Sequence, residues 1–266
     1  MKKIVLAFLC FFYLSTNLFS QHSYPASSGN QPIMDDFFTV KETFLYEVKY
    51  GFLKLGWVEV ELLSDTLYNG ITSKHLVTEI RSNSRIPLVG KELDLFHSLF
   101  FINKDGIPVT SYYWKDNVDE DKYKEIVYEF DRIENVVRYK EEDDTRDTLD
   151  LVEPATSGQE IFFFSRLYAG SDINSRLPVY VTKKLGYINM TNSSKIEMRK
   201  YAPFDGNVET YLSEGTTENI DGPFGFSGDF RAWFLADDLR VPLEARVKVL
   251  FGNAIVRLIE YKREEL

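Results

Sequence analysis

The sequence predicts a mainly β fold: a large curved antiparallel sheet, or an open half barrel, of about ten or more strands with one packed helix. Three observations predict it. Apolar and polar residues alternate with period two through many short runs, which gives a sheet one dry face and one wet face. Turn signals recur every 8–12 residues. Aromatic residues make up 15% of the chain, with 21 Phe and 16 Tyr, and strands favour such side chains.

The closing stretch carries the pattern best. Phe230–Leu235 reads as one strand. In Val241–Phe251, Leu243, Ala245, Val247, Val249 and Phe251 alternate with Glu244, Arg246 and Lys248, a strand with a wet face. Gly252-Asn253 is expected to reverse the chain into a third strand, Ala254–Tyr261.

At the other end, Lys2 and Lys3 precede an apolar run, Ile4–Leu14, and Ser20 follows as a small residue. This reads as a secretory signal peptide over residues 1–20, since the run is too short to span a bilayer. Cys10 lies inside the apolar run rather than at its end, so it is not read as a lipidation site, and the chain is not expected to be a lipoprotein. The remaining residues then contain no cysteine and form no disulfide. Residues 21–36 are rich in Ser, Pro, Gly and Asn and read as a flexible leader. Residues 37–266 are expected to form a single β-rich domain. Loss of Lys2 and Lys3 takes the net charge from −10 to −12. That balance disfavours nucleic acid and electrostatic docking on anionic lipid. No spanning segment is expected after signal cleavage.

Strands are predicted around Phe44–Lys49 and Trp57–Leu62, with a break at Gly51–Gly56. Asn69-Gly70 is the strongest hairpin signal and joins the second strand to Ser73–Ile80. Further strands fall at Leu95–Ile102, Val109–Trp114, Tyr123–Phe130 and Asn135–Lys140, and Glu141–Asp147 reads as an acidic loop. Ser157–Ala169 breaks the β pattern. Ser157 and Glu160 have capping-box spacing, Ile161, Phe164, Leu167 and Tyr168 recur at helical spacing, and Gly170 follows, so a helix is predicted over 157–169. Leu177–Leu185 reads as one strand entering with Pro178, with Ile188–Met190 and Lys195–Tyr201 beside it. Glu209–Gly215 is a weaker strand, and Ile220–Gly228 is a Gly-rich loop.

No nucleophile elbow, phosphate loop, dinucleotide fingerprint or zinc-binding helix is present. No catalytic residue, metal or cofactor is therefore assigned. His75 and His97 lie in separate predicted strands and can face each other, but two histidines without a spaced carboxylate make no metal motif. Asp237 and Asp238 sit side by side in a turn. Asp fixes turns by accepting backbone N–H bonds; the alternative is a paired-carboxylate acid site. Arg166 on the predicted helix can hold an anionic ligand or pair with an acidic strand residue. Trp57 and Trp233 can line a pocket or pack across strands. Phe224 and Phe226 flank Gly225 as a lid, a membrane-touching tip, or an inward-packed loop.

The residues also carry a family resemblance. FLYEVKYGFLKLGWVEVEL with Gly56 at its break, KDGIP at Lys104–Pro108, EFDR at Glu129–Arg132, FFFSRLYA with Arg166, and the closing FRAWFLADDLRVPLEARVKVLFGNAIVRL occur in the order found in the domain-of-unknown-function 3108 family, which this chain resembles. SGQE at 157–160 departs from the family's more hydrophobic helix start. The resemblance implies an exported, mainly β bacterial protein without an established activity, and it transfers no catalytic residue.

Three functions follow as expectations. The first is a non-enzymatic periplasmic or envelope binding or scaffolding module, whose concave, aromatic-rich sheet takes an apolar, lipid-like or glycan-like ligand or an envelope protein. The second is an envelope hydrolase using Asp237, Asp238 and a strand histidine. The third is an assembly protein acting through an exposed sheet edge.

Overall fold

The computed structural model describes residues 31–86, 93–117, 126–220, 228–249 and 252–265. The segment expected to be a signal peptide, residues 1–20, and most of the expected leader lie outside the described residues, as do Phe224 and Phe226.

A short 3₁₀ helix, Met34–Phe38, leads into strand β1, Val40–Tyr50. Then come β2 (Leu53–Tyr68), β3 (Ile71–Ser82), β4 (Leu93–Ile102), β5 (Pro108–Asn117), β6 (Ile126–Asp131), β7 (Val136–Lys140) and β8 (Arg146–Asp150). Helix α1 is Ile161–Tyr168. After it run β9 (Ser175–Val181), β10 (Lys184–Lys200), β11 (Asn207–Glu218), β12 (Asp229–Leu235), β13 (Pro242–Val249) and β14 (Gly252–Glu265).

All fourteen strands form one antiparallel sheet in the order 8-7-6-5-4-3-2-1-14-13-12-11-10-9. The first and last strands therefore pair at its centre, Val40 opposite Glu265 through Tyr50 opposite Ala254. The two edge strands, β8 and β9, are neighbours in sequence, and the chain between them holds the helix.

The sheet curls until these edges meet, giving a barrel-like form. Tyr128, Phe130 and Tyr139 of β6 and β7 pack with Ala155 and Tyr180, and the Phe130 and Tyr180 rings meet edge-on at 5.5 Å. Residues 155 and 156 thread the seam. Thr110 N–H donates to Ala155 O at 2.9 Å and Tyr180 N–H to Thr156 O at 2.8 Å. The Tyr180 hydroxyl donates to Asp150 O and accepts from Val152 N–H.

The helix lies on the inner face. Phe162 meets Phe44 edge-on at 4.8 Å, and Phe163 packs on Phe100 at 5.5 Å and Phe37 at 6.0 Å. Phe163 and Phe164 are buried, and each contributes roughly 1.5–3 kcal/mol before entropy is counted. The predicted capping box is half formed. Glu160 reaches back to the Ser157 N–H at 3.1 Å, but Ser157 precedes the helix and Glu160 itself is the N-cap. The Glu160 carboxylate is committed to the Ser157 and Ser98 hydroxyls, so the helix starts four residues later than its spacing predicts. Gly170 follows the helix at φ +80°, and a Cβ there would lie 2.7 Å from the Tyr211 ring.

Other departures have local causes. Asn69 and Gly70 do reverse the chain, both at positive φ. The predicted strand Leu177–Leu185 is instead two strands, because Thr182 and Lys183 also take positive φ and make a hairpin without the usual turn residues. The acidic loop gives way to β8 at Arg146. Gly252 and Asn253 pair with Val249 and Lys248, so they belong to β14 rather than forming the expected turn. After Gly51-Phe52 the chain re-enters the sheet at Leu53, before Gly56.

Candidate functional site

Side chains on the outer face of the central strands form one cross-strand row. Trp233 on β12 lies opposite Glu244 on β13, which lies opposite Arg257 on β14. Arg257 lies opposite Glu47 on β1, Glu47 opposite Trp57 on β2, and Trp57 opposite Arg81 on β3. Directly opposed residues of antiparallel strands share a face, so their side chains interact.

Glu244 anchors the row. Its carboxylate is out of solvent and accepts from Arg246 Nε at 2.6 Å, Arg257 Nε at 2.7 Å and Arg199 Nη2 at 3.3 Å. A buried carboxylate is tolerated when it is paired and hydrogen-bonded in this way. Trp233 is the floor beneath the arginines, with the guanidiniums of Arg199 and Arg246 4.0 and 5.1 Å from its ring. Its indole N–H donates to Glu197 Oε2 at 3.0 Å. Arg199 Nε donates to the Tyr201 hydroxyl at 2.9 Å. Burial, and then the Glu244 charge, push that hydroxyl up to about 12. At the other end Glu47 is paired with Lys49 and Lys54. Burial works against its ionisation, but hydrogen bonds and charge from the two lysines hold it below the usual carboxylate range. Lys54 Nζ also stands 4.8 Å over the Trp57 ring.

Beside this row a groove of about 890 Å³ crosses strands β9 to β14. Arg176, Asn189, Glu214, Arg231, Arg246 and Lys248 are among its lining residues. Within it Arg231 pairs with Glu214 at 2.6 Å and Lys248 with Asp229 at 3.5 Å. Arg246 belongs to both the groove and the Glu244 cluster.

The other sequence candidates lie elsewhere. Arg166 has no solvent exposure and takes the ion-pair alternative: Nη2 donates to Glu42 Oε2 at 2.8 Å and Nε to Leu239 O at 2.7 Å. Asp237 is buried and accepts from Val241 N–H at 3.3 Å, which fixes its turn. Burial, and next the Asp238 charge, raise its carboxyl to about 6 against the pull of Arg166. Asp238 forms a two-pronged pair with Arg263 at 3.0 and 3.2 Å. His75 and His97 do face each other, Nε2 to Nδ1 at 3.1 Å. Their surroundings are Trp114, stacked on His97 at 4.4 Å, and Asp116, 3.5 Å from His97 Nε2. The structure thus brings the two histidines together and the two aspartates together, but not the histidines with the aspartates. No group of three or more metal-ligating side chains is arranged to hold an ion among the described residues. Nor is any described helix long and apolar enough to cross a membrane.

Sequence reading passed over the Glu244 cluster. The alternation put Glu244, Arg246 and Lys248 on a wet face; all three lie on the outer face, but Glu244 is buried there. It carried no sign that three arginines from three strands would close over Glu244.

One comparison with a solved structure agrees with this architecture. A family model described as Protein of unknown function (DUF3108) matches residues 45–259. No curated protein matches the chain. Among solved structures, a β-barrel-like protein of the unknown-function family DUF1849 from Brucella abortus is 12% identical with a TM-score of 0.51, covering 84% of this chain and 97% of its own. That likeness shows the fold alone. A candidate lipoprotein from Parabacteroides distasonis is 8% identical with a TM-score of 0.33, covering 84% and 95%. A candidate exported protein with a YmcC-like fold from Bacteroides fragilis is 8% identical with a TM-score of 0.31, covering 84% and 94%.

Proposed function

Because this chain belongs to the DUF3108 family of proteins of unknown function, which carries no activity with it, we propose a function from its surfaces: a non-enzymatic, exported binding module that takes a glycan-like ligand in its outer groove. Export rests on the signal-peptide pattern of residues 1–20. The ligand class rests on where open volume lies. The inner face, the expected home of an apolar ligand, is covered by α1 and its phenylalanines. The outer groove of about 890 Å³ has Asn189, Thr191, Thr216 and Asn253 beside its ion pairs, a lining that suits hydroxyl-rich molecules better than acyl chains. Its volume lies in the range of small-molecule sites. Trp233 acts there as support for Arg199 and Arg246 rather than as a contact surface.

The hydrolase alternative draws on the raised carboxyl of Asp237, yet that side chain is closed off from solvent and has no histidine among its partners. The test is calorimetric titration of the protein, without its signal peptide, against a panel of oligosaccharides, repeated with Thr216→Trp, which fills the groove from an exposed position. Binding that Thr216→Trp weakens about tenfold or more supports the groove. Silence across the panel, with a lipid of defined mass recovered by extraction, would return the ligand to the interior.

A further inference from the structure

We infer that the three arginines gathered on Glu244 are an anion-recognition site at the side of the groove, and that the ligand is an acidic saccharide carrying carboxylate or phosphate groups. This rests on the groove reading above and names the chemistry of its ligand.

Arg199, Arg246 and Arg257 come from β10, β13 and β14 and converge on one carboxylate that has no solvent exposure. Glu244 is bonded to one nitrogen of each: Nη2 of Arg199, Nε of Arg246 and Nε of Arg257. The three side chains keep 24%, 39% and 44% exposure, so each arginine is partly open to solvent, and a guanidinium carries more N–H donors than the one bonded to Glu244. Arginine's planar fork matches carboxylate and phosphate oxygens in pairs. The fork is normally costly to hold still. Here Glu244 below and the Trp233 ring alongside Arg199 and Arg246 hold it before any ligand arrives, which reduces the ordering cost of binding.

The charge balance points the same way. Three cations surround one buried anion; of the other carboxylates beside them, Glu197 accepts from the Trp233 indole, and Glu47, opposite Arg257, is paired with Lys49 and Lys54. The surplus stays at the cluster: in the groove beyond Arg246, Arg231 pairs with Glu214, Lys248 with Asp229 and Arg176 with Glu218. The chain as a whole carries −10, so this is a local reversal of sign, which concentrates and orients an anionic ligand. A saccharide fits better than an anionic bilayer. The groove supplies polar Asn and Thr side chains, and the overall negative charge opposes approach to an anionic membrane.

The experiment uses the protein without its signal peptide, with Arg246→Gln and Arg257→Gln, and Arg146→Gln as control. Arg146 is exposed on β8, so its variant makes the same charge change away from the site. Probes are oligogalacturonate, inorganic phosphate, neutral maltohexaose, and phosphatidylglycerol vesicles. The expected result is oligogalacturonate binding that falls about tenfold or more in each site variant, is unchanged in the control, and weakens as salt rises. Equal losses in all three variants overturn the site. So does a protein that ignores acidic probes, and maltohexaose binding in that case leaves the groove reading standing. Phosphate or vesicles captured by the same arginines, with no saccharide bound, overturn both the acidic-saccharide ligand and the groove reading.

Discussion

Arg166 on α1 donates from Nη2 to the Glu42 carboxylate on β1 at 2.8 Å, across 124 positions of sequence and out of reach of solvent. The pair ties the helix to the strand at the centre of the sheet. Around it, the Arg166 guanidinium lies 4.3 Å from the Phe37 ring, and the Tyr261 hydroxyl donates to Glu42 Oε1 at 2.6 Å. Burial, and then the Glu42 charge, hold that hydroxyl well above its usual range.

Arg166→Met leaves Glu42 as a buried carboxylate without its cation. We expect a loss of about 3–5 kcal/mol in urea unfolding, the usual consequence of removing one partner of a buried pair. The double variant Arg166→Met, Glu42→Leu should lose much less than the sum of the two singles. Strictly additive losses would show that the pair does not couple helix to sheet.

Asp237 gives the fold a pH dependence of known sign. Its folded carboxyl is raised to about 6 from an ordinary 3.8, so the folded state holds the proton more tightly than the unfolded chain. Stability from this group is full below about pH 4 and is lost as pH rises towards 6. Relative to Asp237→Asn, the native protein should gain about 2 kcal/mol between pH 7.5 and pH 4. Parallel stability curves for the two proteins over that window would refute the assignment.

His75 and His97 act in the opposite direction. Burial lowers both, with the neighbouring imidazole adding to the effect at His75 and Asp116 opposing it at His97. Both should therefore remain neutral at pH 7, and their imidazole proton resonances should titrate with midpoints below 6.5. Their contribution to stability is present above 6.5 and falls away as pH drops through the folded values. A midpoint at or above 6.5 for either ring would contradict the geometry.

Gly56 is required by a close approach. A Cβ there would stand 2.2 Å from Arg81 O on the paired strand. Gly56→Ala should cost about 1–3 kcal/mol or more, because backbone must move to admit the methyl. Gly70 meets nothing within 4 Å but has φ +78°, and Gly70→Ala should cost about 1 kcal/mol through its turn geometry alone. Thermal melts of the two variants will rank them; an equal or reversed order would show that the strands part easily at Gly56.

Much of the architecture was legible because strand formation is written locally. The alternation through 243–249, the Asn69-Gly70 hairpin and the helix-spaced run ending at Gly170 each depend on a few neighbouring residues. The errors are local too. Thr182 and Lys183 turn the chain without glycine, asparagine or proline, and Glu160 keeps its bond to the Ser157 N–H but caps the helix itself, with its carboxylate also held by Ser98 on β4.

By itself, then, the sequence determined a curved antiparallel β protein with one helix, and which side chains share a face, because period and turn chemistry act over a few residues. Tertiary structure alone decided that β1 pairs with β14 and that Arg166 is a core ion pair. It alone decided that Arg199, Arg246 and Arg257 meet over a buried Glu244. These depend on strand register and sheet curl, which bring distant residues together, and an arginine on a wet face has the same local pattern whether it meets water or a carboxylate.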